Sequence, residues 1–260
     1  MSVSPVQIDK VDHLEVKTFA DRKALGDNAG RQIAEKIKDL LQQKDEIRMV
    51  FAAAPSQNEV LSYLAQDKRI DWSRIVAFHM DEYIGLEESA PQTFSRFLSE
   101  KLFDLVKPKE VHLINGDNES EHECRRYASL FNEKPIDIVC LGIGENGHLA
   151  FNDPPVADFE DEETVKTVTL DEACRQQQVN DGCFSSIDEV PEKAITLTIP
   201  ALLSGEFLYC VVPGKTKANA VQHVLTGPIT TNWPASILRD HPNCTLYLDK
   251  DSRGGIQWDV

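Results

Sequence analysis

Basic residues are in short supply: 27 lysines and arginines stand against 43 aspartates and glutamates in 260 residues, a formal charge of −16. Such a surface repels phosphate backbones and anionic lipid at long range, which argues against nucleic acid or membrane as a partner. A small anion is acceptable only where a few bases are gathered. No apolar run approaches the ~18 residues of a membrane span, and the opening MSVSPVQIDKVDHLEV lacks the basic start and apolar centre of a secretory leader. The six cysteines, Cys124, Cys140, Cys174, Cys183, Cys210 and Cys244, are widely spaced, with no C-x-x-C pair and no histidine cluster at metal-ligand spacing. They read as buried thiols of a reducing compartment, so the expectation is a cytoplasmic protein without a metal. No repeat, low-complexity tract or Pro/Gly/Ser-rich linker divides the chain, and only GGIQWDV follows the last apolar run. Residues 1–260 are therefore read as one domain with no C-terminal regulatory extension; the subunit count is left open, a homo-oligomer included.

What is present is a chain with 41% hydrophobic residues, enough for a substantial core. Leu25, Ala29, Ile33, Ile37 and Leu41 recur at helical spacing and predict an amphipathic helix over about 20–43. IRMVFAAA, ended by Pro55 and SQN, reads as a buried strand running into a turn and the helix NEVLSYLAQ. The alternation continues with strand RIVAFHM, a helix near Thr93 to Leu105, short strand VHLI, helix ESEHECRRYASLF and strand IDIVCLGI. ITLTI, EFLYCVV and CTLYLD are further strands, with helix KTKANAVQHVL between the last two. This order predicts an α/β fold: a doubly wound, mostly parallel, Rossmann-like sheet with helices on both faces. Ligands of such sheets sit beyond the carboxyl ends of the strands, which directs attention to PSQN, MDEY, GIGENGH and PGKTK.

LGIGENGHLAFNDPP, residues 141 to 155, contains G-x-G-x-x-G after an apolar run. A dinucleotide turn would open a helix at its last glycine, but Pro154 and Pro155 forbid a helix interior here. Gly144 and Gly147 instead let the backbone turn tightly and approach a small ligand while presenting His148. Around that imidazole stand Glu145, Asn146, Asn152 and Asp153. Acids and amides about a histidine on a strand-end loop suit an imidazole held in one tautomer for proton transfer. In AAAPSQNEV, Ser56, Gln57 and Asn58 offer side-chain donors and the following helix its N-terminal amides for an oxyanion; Ser56 or Asn58 as an ordinary helix cap is the alternative. Lys215 and Lys217, at a strand end in an acidic protein, are placed where a phosphate needs positive charge.

FHMDEYIGL (78 to 86) together with LGIGENGHLAFNDP (141 to 154) resembles the glucosamine-6-phosphate deaminase family, and PGKTKA and WPASILRDH also fall in that family's order. The related 6-phosphogluconolactonases share the wider fold and a similar G-x-G-x-x-G-H loop, but their pattern would run GHTASLFP where this chain has GHLAFNDP. The resemblance implies conversion of an amino-sugar phosphate to fructose 6-phosphate and ammonia, with no cofactor. It places Asp81 on the base that moves a proton between C2 and C1, His148 on the ring-opening histidine and Lys217 on the lysine that grips phosphate. Adjacent strand residues point to opposite sides, so of Asp81 and Glu82 only one is expected to head the chemistry. The resemblance chooses Asp81, and Glu82 stays a substrate contact or a partner of a backbone amide.

Three departures qualify this. Asn146 stands where most deaminases have aspartate, and Asp153 where they have glutamate. An amide can orient an imidazole but supplies no charge, so either Asp153, with Glu145 as a second candidate, supplies it or ring opening is slower. A glycine-rich phosphate turn is replaced by Ser56-Gln57-Asn58, and the family's phosphate-binding arginine has only Arg175, in CRQQQVNDGCF, as a counterpart without a gapless match. These departures leave open a galactosamine phosphate as substrate, a lactonase, or a sugar-phosphate-binding protein with weakened catalysis.

Overall fold

The computed structural model describes residues 4–87 and 89–255, so the last five residues of GGIQWDV lie outside the described residues. In chain order the strands are β1 (Gln7–Val11), β2 (Leu14–Phe19), β3 (Ile47–Phe51), β4 (Ile75–His79), β5 (Asp81–Tyr83), β6 (Glu110–His112), β7 (Ile138–Leu141), β8 (Val165–Thr169), β9 (Lys193–Leu197), β10 (Phe207–Val212) and β11 (Cys244–Asp249). The helices are α1 (Arg22–Leu41), α2 (Asn58–Gln66), α3 (Phe94–Leu98), α4 (Asp104–Val106), α5 (Ser120–Asn132), α6 (Glu172–Asn180), α7 (Ile199–Leu203), α8 (Ala218–Thr226) and α9 (Lys250–Arg253). Helix α1 starts where the Asp21 carboxylate accepts from the Ala24 amide, and its Leu25, Ala29, Ile33 and Ile37 stripe is buried.

Eight strands form one sheet in the order β1-β2-β11-β10-β7-β3-β4-β6. All neighbours run parallel except β1 against β2. Alternation along the strands supplies two cores. Ile138 and Cys140 of β7 join α1 and α2 side chains on one face, while Val139 and Leu141 join Tyr127, Phe131, Ala220 and Val221 on the other. The doubly wound expectation is thus met, and the chain winds outward in opposite directions from the neighbours β3 and β7. A crevice at such a reversal opens at the carboxyl ends of the strands.

Three features differ from the sequence reading. ITLTI belongs to a second sheet, in which β5, β9 and β8 are antiparallel; the chain turns at Met80 after β4, and DEY pairs with β9. The helix expected near Thr93 to Leu105 is interrupted by a π-helical turn, Ser99–Phe103. Cys140, Cys174, Cys210 and Cys244 are buried free thiols, but Cys124 and Cys183 are half-buried. No helix among the described residues is long and apolar enough to cross a membrane.

One buried charge ties the sheet to a helix end. Arg48 of β3 lies 4.7 Å from the centre of the Phe78 ring and donates to the carbonyls of Leu130, Phe131 and Lys134, while its amide donates to Asp137 at 2.7 Å. Removing the guanidinium leaves buried carbonyls without donors. Arg48→Met should cost about 2–4 kcal/mol of stability; an unchanged midpoint of urea unfolding would refute this.

Candidate active site

All four strand-end segments singled out in the sequence line one cavity of about 260 Å³ at the reversal of the sheet. Pro55, Ser56 and Gln57 follow β3, Met80 and Asp81 follow β4, Gly142 to Gly144 and His148 follow β7, and Pro213 to Lys217 follow β10.

The β7 loop folds back on itself through two amide hydrogen bonds of 3.0 Å, Gly144 to the His148 carbonyl and Gly147 to the Gly144 carbonyl. No helix follows Gly147, in keeping with the rejection of a dinucleotide turn. The imidazole lies flat over Gly144: a Cβ there would fall 2.2–2.4 Å from three ring atoms. His148 Nδ1 meets Asp153 Oδ1 at 2.9 Å, and Asn146 Nδ2 donates to the same oxygen at 2.9 Å. The carboxylate accepts, so Nδ1 carries the proton and Nε2 is the basic atom. Burial alone would raise Asp153, but the charge and hydrogen bond of His148, with Asn146, hold it below the usual carboxylate range. Thus Asp153 supplies the charge that Asn146 lacks. Glu145 acts elsewhere: its charge helps keep Lys217 protonated.

Asp81 opens β5 and is fixed by pairing with Thr196 of β9, whose Oγ1 also accepts from the Phe151 amide at 3.2 Å. Asp81 and the histidine loop therefore share one strand as a frame. Burial, then the charges of Glu82 and Asp153, push the Asp81 carboxyl well above its ordinary value. Phe94 and Phe151, 5.6 Å apart, stack along the cavity wall and keep this end apolar.

The turns after β3 and β10 are built for an anion. The helical turns beginning at Pro55 and Lys215 both open onto the cavity, and neither start is capped by a side chain. Their amide ends carry partial positive charge. Ala54 holds the cap position of the first, which displaces the alternative of Ser56 or Asn58 as cap. Gln57 is buried, its Nε2 donating to Ser56 Oγ at 3.1 Å and the Val211 carbonyl at 3.3 Å. Lys217 is buried and, among the described residues, no hydrogen bond or ion pair reaches its ammonium; burial lowers its pKa against the charges of Asp181 and Glu145. A desolvated, unpaired ammonium at two open helix ends is a receptor for a small dianion such as phosphate.

With this geometry established, comparison with known proteins becomes informative. Residues 20–247 match the family model described as glucosamine-6-phosphate isomerases/6-phosphogluconolactonase. The chain belongs to that family. It is 35% identical to a glucosamine-6-phosphate deaminase of an Exiguobacterium species over 82% of each chain, and 33% identical to that of Thermoanaerobacter pseudethanolicus over 85% of this chain and 88% of the other. Among solved structures it resembles a monomeric glucosamine-6-phosphate deaminase, with TM-score 0.84 and 31% identity over 92% of this chain and 98% of that one. A 6-phosphogluconolactonase from Thermotoga maritima shares the fold, with TM-score 0.74 at 23% identity over 90% of this chain and 99% of that one.

Within this family member, several predicted contacts lie away from the cavity. Glu82 points to the other side of β5, where it accepts from the amides of Tyr83, Phe94 and Ser95 at 2.8–3.1 Å and so caps α3. Arg175 is turned to the carbonyls of Ile187 and Val190, because its position on α6 faces the following loop. Asn58 enters α2 beyond the turn and leaves the wall to Ser56 and Gln57. Gly147 is a structural glycine: φ is +84° and a Cβ would lie 2.8 Å from Trp233. Asn146 and Asp153 stand behind His148 rather than on the wall.

The sequence reading missed Arg22, Gln177, Gln178 and Asp181, all of which line the cavity. Gln177 accepts from the Glu145 amide at 2.8 Å, so α6 steadies the glycine loop. A signal for α6 existed: Cys174, Gln177, Gln178 and Asp181 share one helical face that is inward yet polar. Arg22, bound to Glu59 at 2.8 Å and to the Pro55 carbonyl, reaches the cavity only through the packing of α1 on α2.

Gly144→Ala tests the loop geometry. The methyl must push the imidazole off its site, so the rate should fall by about 100-fold or more while the fold persists; full activity in a folded variant would contradict the placement.

Proposed function

We propose that the protein is a hexosamine-6-phosphate deaminase and isomerase, with glucosamine 6-phosphate as substrate and fructose 6-phosphate and ammonia as products. The observation that carries this reading is the meeting in one cavity of a protonation-tuned carboxyl (Asp81), a carboxylate-held imidazole (His148 with Asp153) and an unpaired buried ammonium (Lys217). Family membership and the deaminase relatives support it.

In the proposed reaction the phosphate sits on Lys217 and the two helix starts, with Ser56 and Gln57 beside it. His148 Nε2 takes the anomeric hydroxyl proton and returns a proton to the ring oxygen, which opens the ring. Asp81, ionised, removes the proton at C2 of the open chain and delivers it to C1, while a proton from the substrate's amino group passes to O1. One carboxylate reaches both carbons by a small rotation, so a single acid suffices. The resulting ketose imine is hydrolysed by water, releasing ammonia. Every named group comes from one chain. Free thiols and an acidic surface fit a cytoplasmic enzyme.

Ammonia release should be detected on incubation with glucosamine 6-phosphate or its galactosamine epimer, and failure with both from folded protein overturns the assignment. Asp81→Asn should lower the rate by about 10²–10⁴-fold, whereas a lactone hydrolase would be indifferent to it. The same substitution should raise Tm at neutral pH. A carboxyl whose folded pKa is raised binds more protons folded than unfolded, so stability declines as pH climbs from the unfolded towards the folded value. An amide escapes that loss, and a lower Tm for Asp81→Asn would refute the electrostatic account.

Lys217→Met should raise KM for the sugar phosphate by about 10–100-fold with a smaller change in kcat. A KM unchanged in steady-state assays would move the phosphate elsewhere.

A further inference from the structure

The His148–Asp153 pair leaves one valence unfilled. Asp153 is 1% exposed; its Oδ1 already serves His148 and Asn146, while Oδ2 is buried without a hydrogen bond of ordinary geometry from any described side chain or amide. Close to this carboxylate stands the thiol of Cys174. Its Sγ, a ring nitrogen of His148 and a carboxylate oxygen of Asp153 all lie within 4.8 Å of one another. Cys174 is itself 1% exposed, and its place in the first turn of α6 is fixed by its amide, which donates to Asp171 at 2.6 Å.

We infer that Cys174 is a positioning residue for His148: its S–H serves the second oxygen of Asp153 and keeps that carboxylate ionised and aimed at the imidazole. The inference rests on the proposed role of His148. Two observations carry it independently, the buried oxygen lacking a conventional donor and the thiol anchored close to that carboxylate. Chemically, the thiol is a donor and not a nucleophile. Burial, with the charges of Asp153, Asp171 and Asp81 acting in the same direction, keeps its proton on, and Cys174 is absent from the cavity wall. Its dipole in turn favours the charged form of Asp153. Lys217 and the Tyr83 hydroxyl also lie within electrostatic range of the thiol, and the substitutions below leave both in place.

This pairing matters because Asn146 brings no charge. Among the described residues Asp153 alone backs the imidazole with a carboxylate, and it is buried near a second carboxyl, Asp81. Each hydrogen bond to its charged form therefore counts towards keeping it an anion.

Cys174→Ala and Cys174→Ser in the full chain test this by two readouts. The first is the titration of the His148 ring by NMR in substrate-free protein. The second is kcat and KM across pH with glucosamine 6-phosphate. In Cys174→Ala the ring should titrate roughly 0.5–1 pH unit lower, because a poorer anion stabilises the imidazolium less; kcat should fall by about 3–10-fold with KM nearly unchanged. Cys174→Ser, which keeps a donor, should restore both. Wild-type titration and kcat in Cys174→Ala overturn the inference, as does a serine variant as impaired as alanine when thermal melts show both folded. The ring titration needs no substrate. A wild-type enzyme that releases no ammonia thus defeats the proposed function alone, and an unmoved titration defeats this inference alone.

Discussion

A buried ammonium with no counter-ion among the described residues is the constraint around which the cavity is organised. Lys217 loses most of its hydration, and the charges acting on it, Asp181 and Glu145, lower its energy without forming an ion pair. An isolated buried charge is costly, and the cost is offset only when an anion arrives. The same hollow holds Asp81, whose ionised form is disfavoured by burial and by Glu82 and Asp153. Were the two groups in contact, each would neutralise the other and both would be spent. Carrying them on separate elements of one wall gives one place that attracts an anion and another where a carboxyl can gain and lose a proton.

The fold maintains that separation through backbone rather than side chain. Lys217 rides on the turn after β10, and Asp81 on a strand that has left the main sheet to pair with β9. The second sheet is what turns Asp81 inward, and Glu82 secures the turn by binding the Tyr83 amide and two amides at the start of α3. Neighbouring acids on one strand are thereby divided between chemistry and structure. Period-two geometry obliges this, since one faces the cavity and the other cannot.

How much of this could be read from the chain follows from where the information resides. Strand-end loops were legible because apolar runs ended by Pro55, Asp81, Gly142 and Pro213 identify both the strands and their carboxyl ends. The His148 loop was legible because the prolines at 154 and 155 exclude the competing helix. Which side Glu82 faces was not, because β5 leaves the parallel sheet through a single residue, Met80, and DEY carries no apolar run of its own. Arg175 was misplaced for a similar reason: one basic residue on a nine-residue helix gives its charge but not its azimuth. Gly147 was legible as a required glycine, yet its reason, Trp233, is distant in sequence and visible only on folding.

Asn146 and Asp153, where the resemblance implies aspartate and glutamate, act on the imidazole together. An amide at 146 cannot charge the imidazole, but it can donate, and here its Nδ2 shares the oxygen that His148 uses while its Oδ1 accepts from the His148 amide at 3.1 Å. Asp153, one methylene shorter than glutamate, meets the ring at 2.9 Å because the loop folds tightly enough to bring it there, held by Asn152 on the carbonyls of Leu149 and Leu197. With a single carboxylate behind the ring, less negative charge accumulates beside Asp81. That matters because a further anion nearby would raise the carboxyl still more and reduce the fraction ionised at neutral pH. In the proposed reaction the loop therefore couples ring opening to the readiness of the base: the uncharged Asn146 lowers the support for an imidazolium and, by the same Coulomb interaction, makes the carboxylate at 81 easier to form.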